Sequence, residues 1–269
     1  MKRFFVSAVG ALLFCGVANA QLALPGATEP GSAEAPGKPA TPKKPHKPAP
    51  PAHAVGADAV AGRDLLLNGA DGQLRIAGGG KDKSVQVEKF TLMGEVISDP
   101  SQKCRIDIVA DAPIEAKSLG TPEGLARYSV DIPACPLTFD VLDGAVLAPT
   151  QATACVFQAA DCQASPGGLW GPAGPTLEKD AKAIAKERAR ADASISDSLR
   201  RLVARDKGAS TAALSREQND FAAQRADICR SYAGEAQHGF CAARLTQARA
   251  ALLRARVEPS KAAASDANN

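Results

Sequence analysis

The stretch SVDIPACPLTFDVLDG, residues 129–144, decides the first half of the chain. Ser129-Val130-Asp131-Ile132 and Leu137-Thr138-Phe139-Asp140-Val141 alternate polar and apolar side chains. That two-residue period belongs to strands with one wet and one dry face. Asp143-Gly144, which follows, is a pair suited to a tight hairpin turn. Working outward, the alternation recurs from Val85 and Val87 (with Lys89 a weaker third) into residues 90–97, and again in Arg105-Ile106-Asp107-Ile108. Turn pairs punctuate these runs at Asn68-Gly69, Asp71-Gly72, glycines 78–80 and Asp99-Pro100. Five or six short strands over residues 63–165 predict a small antiparallel β sandwich or barrel.

After residue 176 the period changes to that of helices. Thr176 is placed to N-cap a first helix, with Glu178 and Asp180 in its opening turns. Leu177, Ala181, Ile184, Ala191, Ile195, Leu199 and Leu202 recur at spacings of three and four, interrupted where Arg188 falls on the same stripe. Gly208 supplies a stop, and Ser215-Arg216-Glu217-Gln218 reads as a capping box opening a second helix with Phe221, Ile228 and Tyr232 on one face. Gly234 and Gly239 mark a break before a last helix carrying Leu245, Ala248 and Leu252. Between the halves, PGGLWGPAGP (166–175) reads as a Gly/Pro hinge. It holds the only tryptophan, Trp170, either a ligand-stacking platform or, as favoured here, a plug of one domain onto its neighbour. The expected fold class is α+β and multidomain: an N-terminal small antiparallel β sandwich or barrel (63–165) and a C-terminal disulfide-stapled helical bundle (176–258).

With 4% aromatic residues against 45% hydrophobic, the core of this 269-residue chain must be built largely from Ala, Val, Leu and Ile. The opening MKRFFVSAVGALLFCGVANA (1–20) has a Lys2-Arg3 n-region, an apolar h-region and an Ala18-Asn19-Ala20 cleavage site. It is expected to be a secretory signal peptide, cleaved on export to the periplasm or beyond. Cys15 as a lipoprotein cysteine is the weaker alternative, because bulky Phe14 precedes it. Nine prolines between Pro25 and Pro51 make 21–62 an extended Pro/Lys-rich tether, in which Lys43, Lys44 and Lys47 offer contact with peptidoglycan or anionic lipid. The tail 259–269 is polar. No other stretch is long and apolar enough for a membrane span.

Six cysteines remain beyond residue 20: Cys104, Cys135, Cys155, Cys162, Cys229 and Cys241. An even number in an exported chain points to disulfides, and the lack of any C-x-x-C argues against a zinc ribbon or a thioredoxin-type site. Their distribution predicts four paired within the first half and Cys229 with Cys241 in the second. Cys155–Cys162 and Cys104–Cys135 are the expected pairs of the first half.

The formal charge of +3 excludes a strongly basic nucleic-acid binder. Residues 63–175 hold nine Lys and Arg against fourteen Asp and Glu, and 176–258 hold sixteen against eleven. Opposite signs predict charge-driven docking of the two modules. Of three histidines, His46 and His53 fall in the tether, leaving His238 as a conceivable general acid, although a surface position in a disulfide-closed loop is the expected one. No nucleophile elbow, zinc-protease pattern or phosphate loop occurs, so neither catalysis nor a cofactor nor a metal is expected.

One constellation is more specific. Leu214, Gln218, Phe221, Arg225, Cys229, Gly239, Cys241, Leu245, Thr246, Arg249 and Leu252 or Leu253 form a pattern. A helix with an aromatic leads through Arg–x–x–x–Cys and a glycine-containing loop to a second Cys and a Leu-Thr–x–x–Arg helix. This pattern resembles the second half of the LprI-type lysozyme-inhibitor family, over about residues 176–256. Residues 176–207 take the place of that family's first long helix. The resemblance implies a helical envelope domain that inhibits a lysozyme-like hydrolase. An earlier cysteine pair typical of the family is absent here. Lysozymes are mostly basic, so the acidic β module is the better electrostatic match. Arg225 and Arg249 either pair with acids inside the bundle, the expected case, or face a partner. With His238 and Trp170 they complete the partner-binding candidates. The partner is expected to be a lysozyme-like hydrolase or another envelope protein, not nucleic acid.

Overall fold

The computed structural model describes residues 55–78, 84–149, 154–205 and 211–258. The expected signal peptide, His46, His53, most of the tether, Gly79, Gly80, Gly208 and the tail therefore lie outside the described residues. The barrel and the helices belong to one compact unit, residues 49–269.

Eleven strands form one antiparallel sheet. In chain order they are β1 (Asp64–Leu67), β2 (Asp71–Ala77), β3 (Val85–Val96), β4 (Lys103–Asp107), β5 (Ile114–Ser118), β6 (Ala126–Val130), β7 (Leu137–Leu142), β8 (Ala145–Ala148), β9 (Cys155–Phe157), β10 (Cys162–Ala164) and β11 (Gly168–Gly171). The order β2-β1-β11-β8-β7-β6-β5-β3, with β3 pairing back onto β2, closes an eight-stranded barrel. A barrel of that size is just filled by its own side chains. Here Leu65, Leu74, Ile76, Phe90, Phe139 and Trp170 fill it, each at most 1% exposed.

The twelve-residue β3 serves two structures. Its first half sits in the barrel between β2 and β5, and its second half runs on between β4 and β10. A bulge against β2 makes Glu88 an extra residue, with Arg75 opposite Lys89 and Ile76 opposite Val87. The inward set shifts accordingly from Val85 and Val87 to Phe90 and Leu92, so the alternation fails at Lys89. Cys104 of β4 bonds Cys162 of β10, tying the two neighbours of β3 together. Cys135, between β6 and β7, bonds Cys155 of β9.

Both first-half pairs therefore differ from expectation. In the β9–β10 register Cys162 faces Phe157 while Cys155 faces Ala164, so Cys155 and Cys162 are staggered along the ladder rather than opposed. Cys229–Cys241 is as expected, and no bridge joins the barrel to the helices.

The Gly/Pro stretch 166–175 is a structural wall, not a hinge. Its residues 168–171 are β11, paired to β1 on one side and β8 on the other. Trp170 points into the barrel, edge-on to Phe90 at 5.6 Å, with its indole N–H donated to the Pro166 carbonyl. It plugs the barrel's own interior, not a neighbouring domain.

The helical region comprises α1 (Gly174–Leu177), α2 (Ala181–Arg205), α3 (Thr211–Cys229), α4 (Glu235–His238) and α5 (Phe240–Val257). Two expected helix starts move. Thr176 lies inside α1 and gives its hydroxyl to the Ala173 carbonyl, and Ser215 lies one turn inside α3. α2 and α3 both pack against α5.

The outer wall of β7, β8 and β11 is apolar through Leu142, Ala145, Leu147 and Leu169, and Leu177, Tyr232, Phe240 and Leu245 cover it. Main-chain bonds complete the joint. Ala233 N–H donates to the Asn68 carbonyl at 2.8 Å and Gly174 N–H to the Gly69 carbonyl at 3.0 Å. Gly69 has φ +70°, and a Cβ there would meet the Tyr232 ring at 2.7 Å.

Docking is thus an apolar and backbone contact rather than a charge contact. The ion pair across it, Arg244 to Asp143, is 3.8 Å long with Asp143 64% exposed, a geometry that contributes little. The stability of the joint is expected to change little with salt. A Cβ at Gly171 would meet the Tyr232 hydroxyl at 2.6 Å and the Phe240 ring at 2.8 Å. Gly171→Ala is therefore expected to cost about 2 kcal/mol by overpacking, measured by urea unfolding.

Candidate functional site

The connection from α3 to α5 is tightly specified. Cys229–Cys241 closes it, and Glu235 accepts the Cys241 and Ala242 N–H groups on its two carboxylate oxygens, both at 2.9 Å. A carboxylate there satisfies free donors at the N-terminal end of α5 and complements its dipole. His238 is 3% exposed, with Nδ1 accepting from Phe240 N–H at 3.1 Å and Nε2 facing the Ala233 carbonyl at 2.9 Å. Both ring nitrogens are committed to backbone. His238 holds a buried turn and is neither a surface group nor free to act as a general acid.

Along the seam of α3 and α5 the residues of the sequence pattern converge. The guanidinium groups of Arg225 and Arg249 both lie over the Phe221 ring, at 5.3 and 5.6 Å from its centre. Arg225 donates to the Thr246 hydroxyl at 2.8 Å, and that hydroxyl donates in turn to the Ala242 carbonyl. Arg249 donates to Glu217 at 2.7 Å and, more loosely, to Gln218. Glu217 also receives Arg256, so it is the hub of a cross-helix cluster rather than part of a capping box. Burial of Glu217 works against its ionisation, but the hydrogen bonds from Arg256 and Arg249 outweigh it and hold the carboxyl below its ordinary range.

Three arginines on these two helices are withdrawn from solvent to different degrees. Arg244 and Arg249, 8% and 7% exposed, each have an acid: Glu187 at 2.8 Å and Glu217 at 2.7 Å. Half-buried Arg225 has no carboxylate within ion-pair distance among the described residues. Burial, and next the charge of Arg188, lower its pKa. Arg225 fronts a groove of about 930 Å³ between α2 and α3. The opposite wall carries Arg188, the residue that interrupts the apolar stripe of α2. The interruption is visible in the sequence, but helical spacing alone does not tie it to a site.

A smaller recess of about 340 Å³ lies on the other side of α3, against the barrel wall. Asp140 and Arg127, paired across β7 and β6 at 2.6 and 2.9 Å, stand at that wall. Of the partner-binding candidates, Trp170, His238 and Arg249 are buried and engaged within the protein, and Arg225 borders open space. Among the described residues, no cluster of His, Cys, Asp and Glu could hold a metal, and no helix is long and apolar enough to cross a membrane. No protein-family model, curated protein or solved structure matches the chain.

Glu217→Gln leaves buried Arg249 without its acid and is expected to cost about 2 kcal/mol, less than for a fully buried pair because Glu217 is 38% exposed. Urea unfolding measures it. Tyr232, which donates to the Pro172 carbonyl at 2.7 Å, has its phenol pushed above the ordinary value by burial and then by the charge of Glu235. Its neutral form is favoured in the folded state. The stability that Tyr232 contributes is therefore complete below about pH 10, the free phenol value, and falls as pH rises beyond it, where the unfolded chain ionises first. Tyr232→Phe is expected to flatten that alkaline slope.

Proposed function

We propose that this chain is a non-enzymatic binding protein exported to the cell envelope, and that it occupies a lysozyme-like cell-wall hydrolase. The observation that carries the reading is the convergence of Gln218, Phe221, Arg225, Cys229, Cys241, Thr246 and Arg249 into one stacked, hydrogen-bonded and disulfide-closed seam. These residues carry the resemblance to LprI-type inhibitors, and they act together as the frame of a helical hairpin. A seam built for rigidity presents a fixed surface, which lowers the entropic cost of binding.

Three disulfides suit an oxidising compartment. The commitment of both His238 nitrogens to backbone supports a role without acid–base chemistry. The acidic balance of the barrel, fourteen carboxylates against nine basic residues over 63–175, suits a basic hydrolase. One observation favours a second reading, an envelope scaffold bound to another protein: the α2–α3 groove is an open site, and most of its lining lies outside the pattern that carries the resemblance to the inhibitors.

Turbidity of a cell-wall suspension treated with lysozyme tests the choice. A several-fold molar excess of the protein is expected to slow the loss of turbidity, more strongly at low salt. No protection at that excess favours the scaffold. Turbidity loss with the protein alone overturns the non-enzymatic reading.

A further inference from the structure

We propose that the groove between α2 and α3 is a binding site for a short acidic peptide, whose carboxylates pair with Arg225 and Arg188. The inference rests on the scaffold reading of the same groove and does not need the hydrolase reading to hold. The groove walls are short side chains, Ala185 and Ala189 on α2 and Ala222 and Ala226 on α3, with Ala242 of α5 between them. Such walls leave room for a peptide backbone but give nucleobases no aromatic surface to stack on. His238, the one ring in the lining, is buried with both nitrogens bonded to backbone, and Phe221 behind Arg225 is already covered by two guanidinium groups.

The polar groups of the groove point to the charge of the occupant. Glu235 is consumed by the N–H groups of Cys241 and Ala242. Arg230 is paired with Asp227 at 3.2 Å, and Asp192 answers Arg188 only at 3.9 Å. Arg225 is left half-buried and fixed by Thr246 and Phe221; Asp192 acts on it at a distance, but no carboxylate among the described residues stands within ion-pair distance. A guanidinium withdrawn from water without a carboxylate is poorly solvated, and an incoming carboxylate restores what it lacks. Arg225 is also preorganised, since its bond to Thr246 uses Nη1 and leaves other fork donors for the ligand. Arg188 supplies a second contact on the facing helix, so a peptide with two closely spaced carboxylates spans the groove.

The test uses fluorescein-labelled tetraglutamate and the full folded chain, read by fluorescence anisotropy. Saturable binding is expected, weakening as salt is raised. Arg225→Gln and Arg188→Gln are each expected to weaken it about ten-fold, the effect of one charge-assisted pair. Arg225→Lys keeps the charge without the fork and is expected to fall between. Arg225 also supports Thr246, so Arg188→Gln, at a 41% exposed helical position, gives a reading that does not depend on folding. Arg105→Gln, on β4 beside Asp107, is expected to leave binding unchanged. The proposal is overturned by absence of saturable binding, by equal weakening in Arg105→Gln, or by inorganic phosphate competing as well as unlabelled tetraglutamate.

Discussion

Strand β11 is apolar on both faces, and that constraint organises the molecule. Trp170 points into the barrel and Leu169 points out of it. A strand of this kind needs cover on two sides, and a closed barrel supplies only one. Leu142, Ala145 and Leu147 extend the outward apolar wall over β7 and β8, so the helices are the second layer of the same core. The main-chain bonds from Ala233 and Gly174 to the Asn68 and Gly69 carbonyls then fix the helical region in register with the barrel. The disulfides reinforce each side of this joint without crossing it.

Within the helical layer the same economy of partners explains the seam. Only 4% of the chain is aromatic, so α3 and α5 cannot be joined by a broad aromatic core. Phe221 instead serves two arginines at once, and Glu217 serves two more contacts on α5. Each shared partner couples residues of both helices, so the geometry of the seam depends on several side chains acting together. Arg225 is the arginine that this network leaves without a carboxylate at ion-pair distance, and it borders the α2–α3 groove.

The barrel was legible in part. Strands β3, β4 and β7 and the turns at Asn68-Gly69, Asp99-Pro100 and Asp143-Gly144 follow from alternation and turn chemistry, whereas the alternating run 129–132 catches only the last two residues of β6 and continues past its end. The strands β8 and β11 are apolar on both faces and lack the two-residue period, so nothing in the alternation marks β8, and β11 falls in the stretch that reads as a Gly/Pro hinge. The bulge at Glu88 broke the period of β3 in the same way. The helical stripe and Cys229–Cys241 were readable because both are local. The pairs Cys104–Cys162 and Cys135–Cys155 were not, since they depend on strand order around β3, which no spacing encodes. Of the site, Arg225 was visible as a candidate, but the groove arises only when α2 and α3 both lie on α5 and bring Arg188 and Arg225, more than thirty positions apart in the chain, onto facing walls.

The placement of the sulfur bridges has a mechanical corollary. Every covalent cross-link lies within the barrel side or within the helical side, and the two are joined by the chain running out of β11 into α1. Under tension applied at the C-terminal end, the part of α5 beyond Cys241 lies outside every cystine loop and would unwind first. The bond from Cys241 to Cys229 would then halt the unravelling and pass the load to the α3 side and to the boundary between Leu169 and its helical cover.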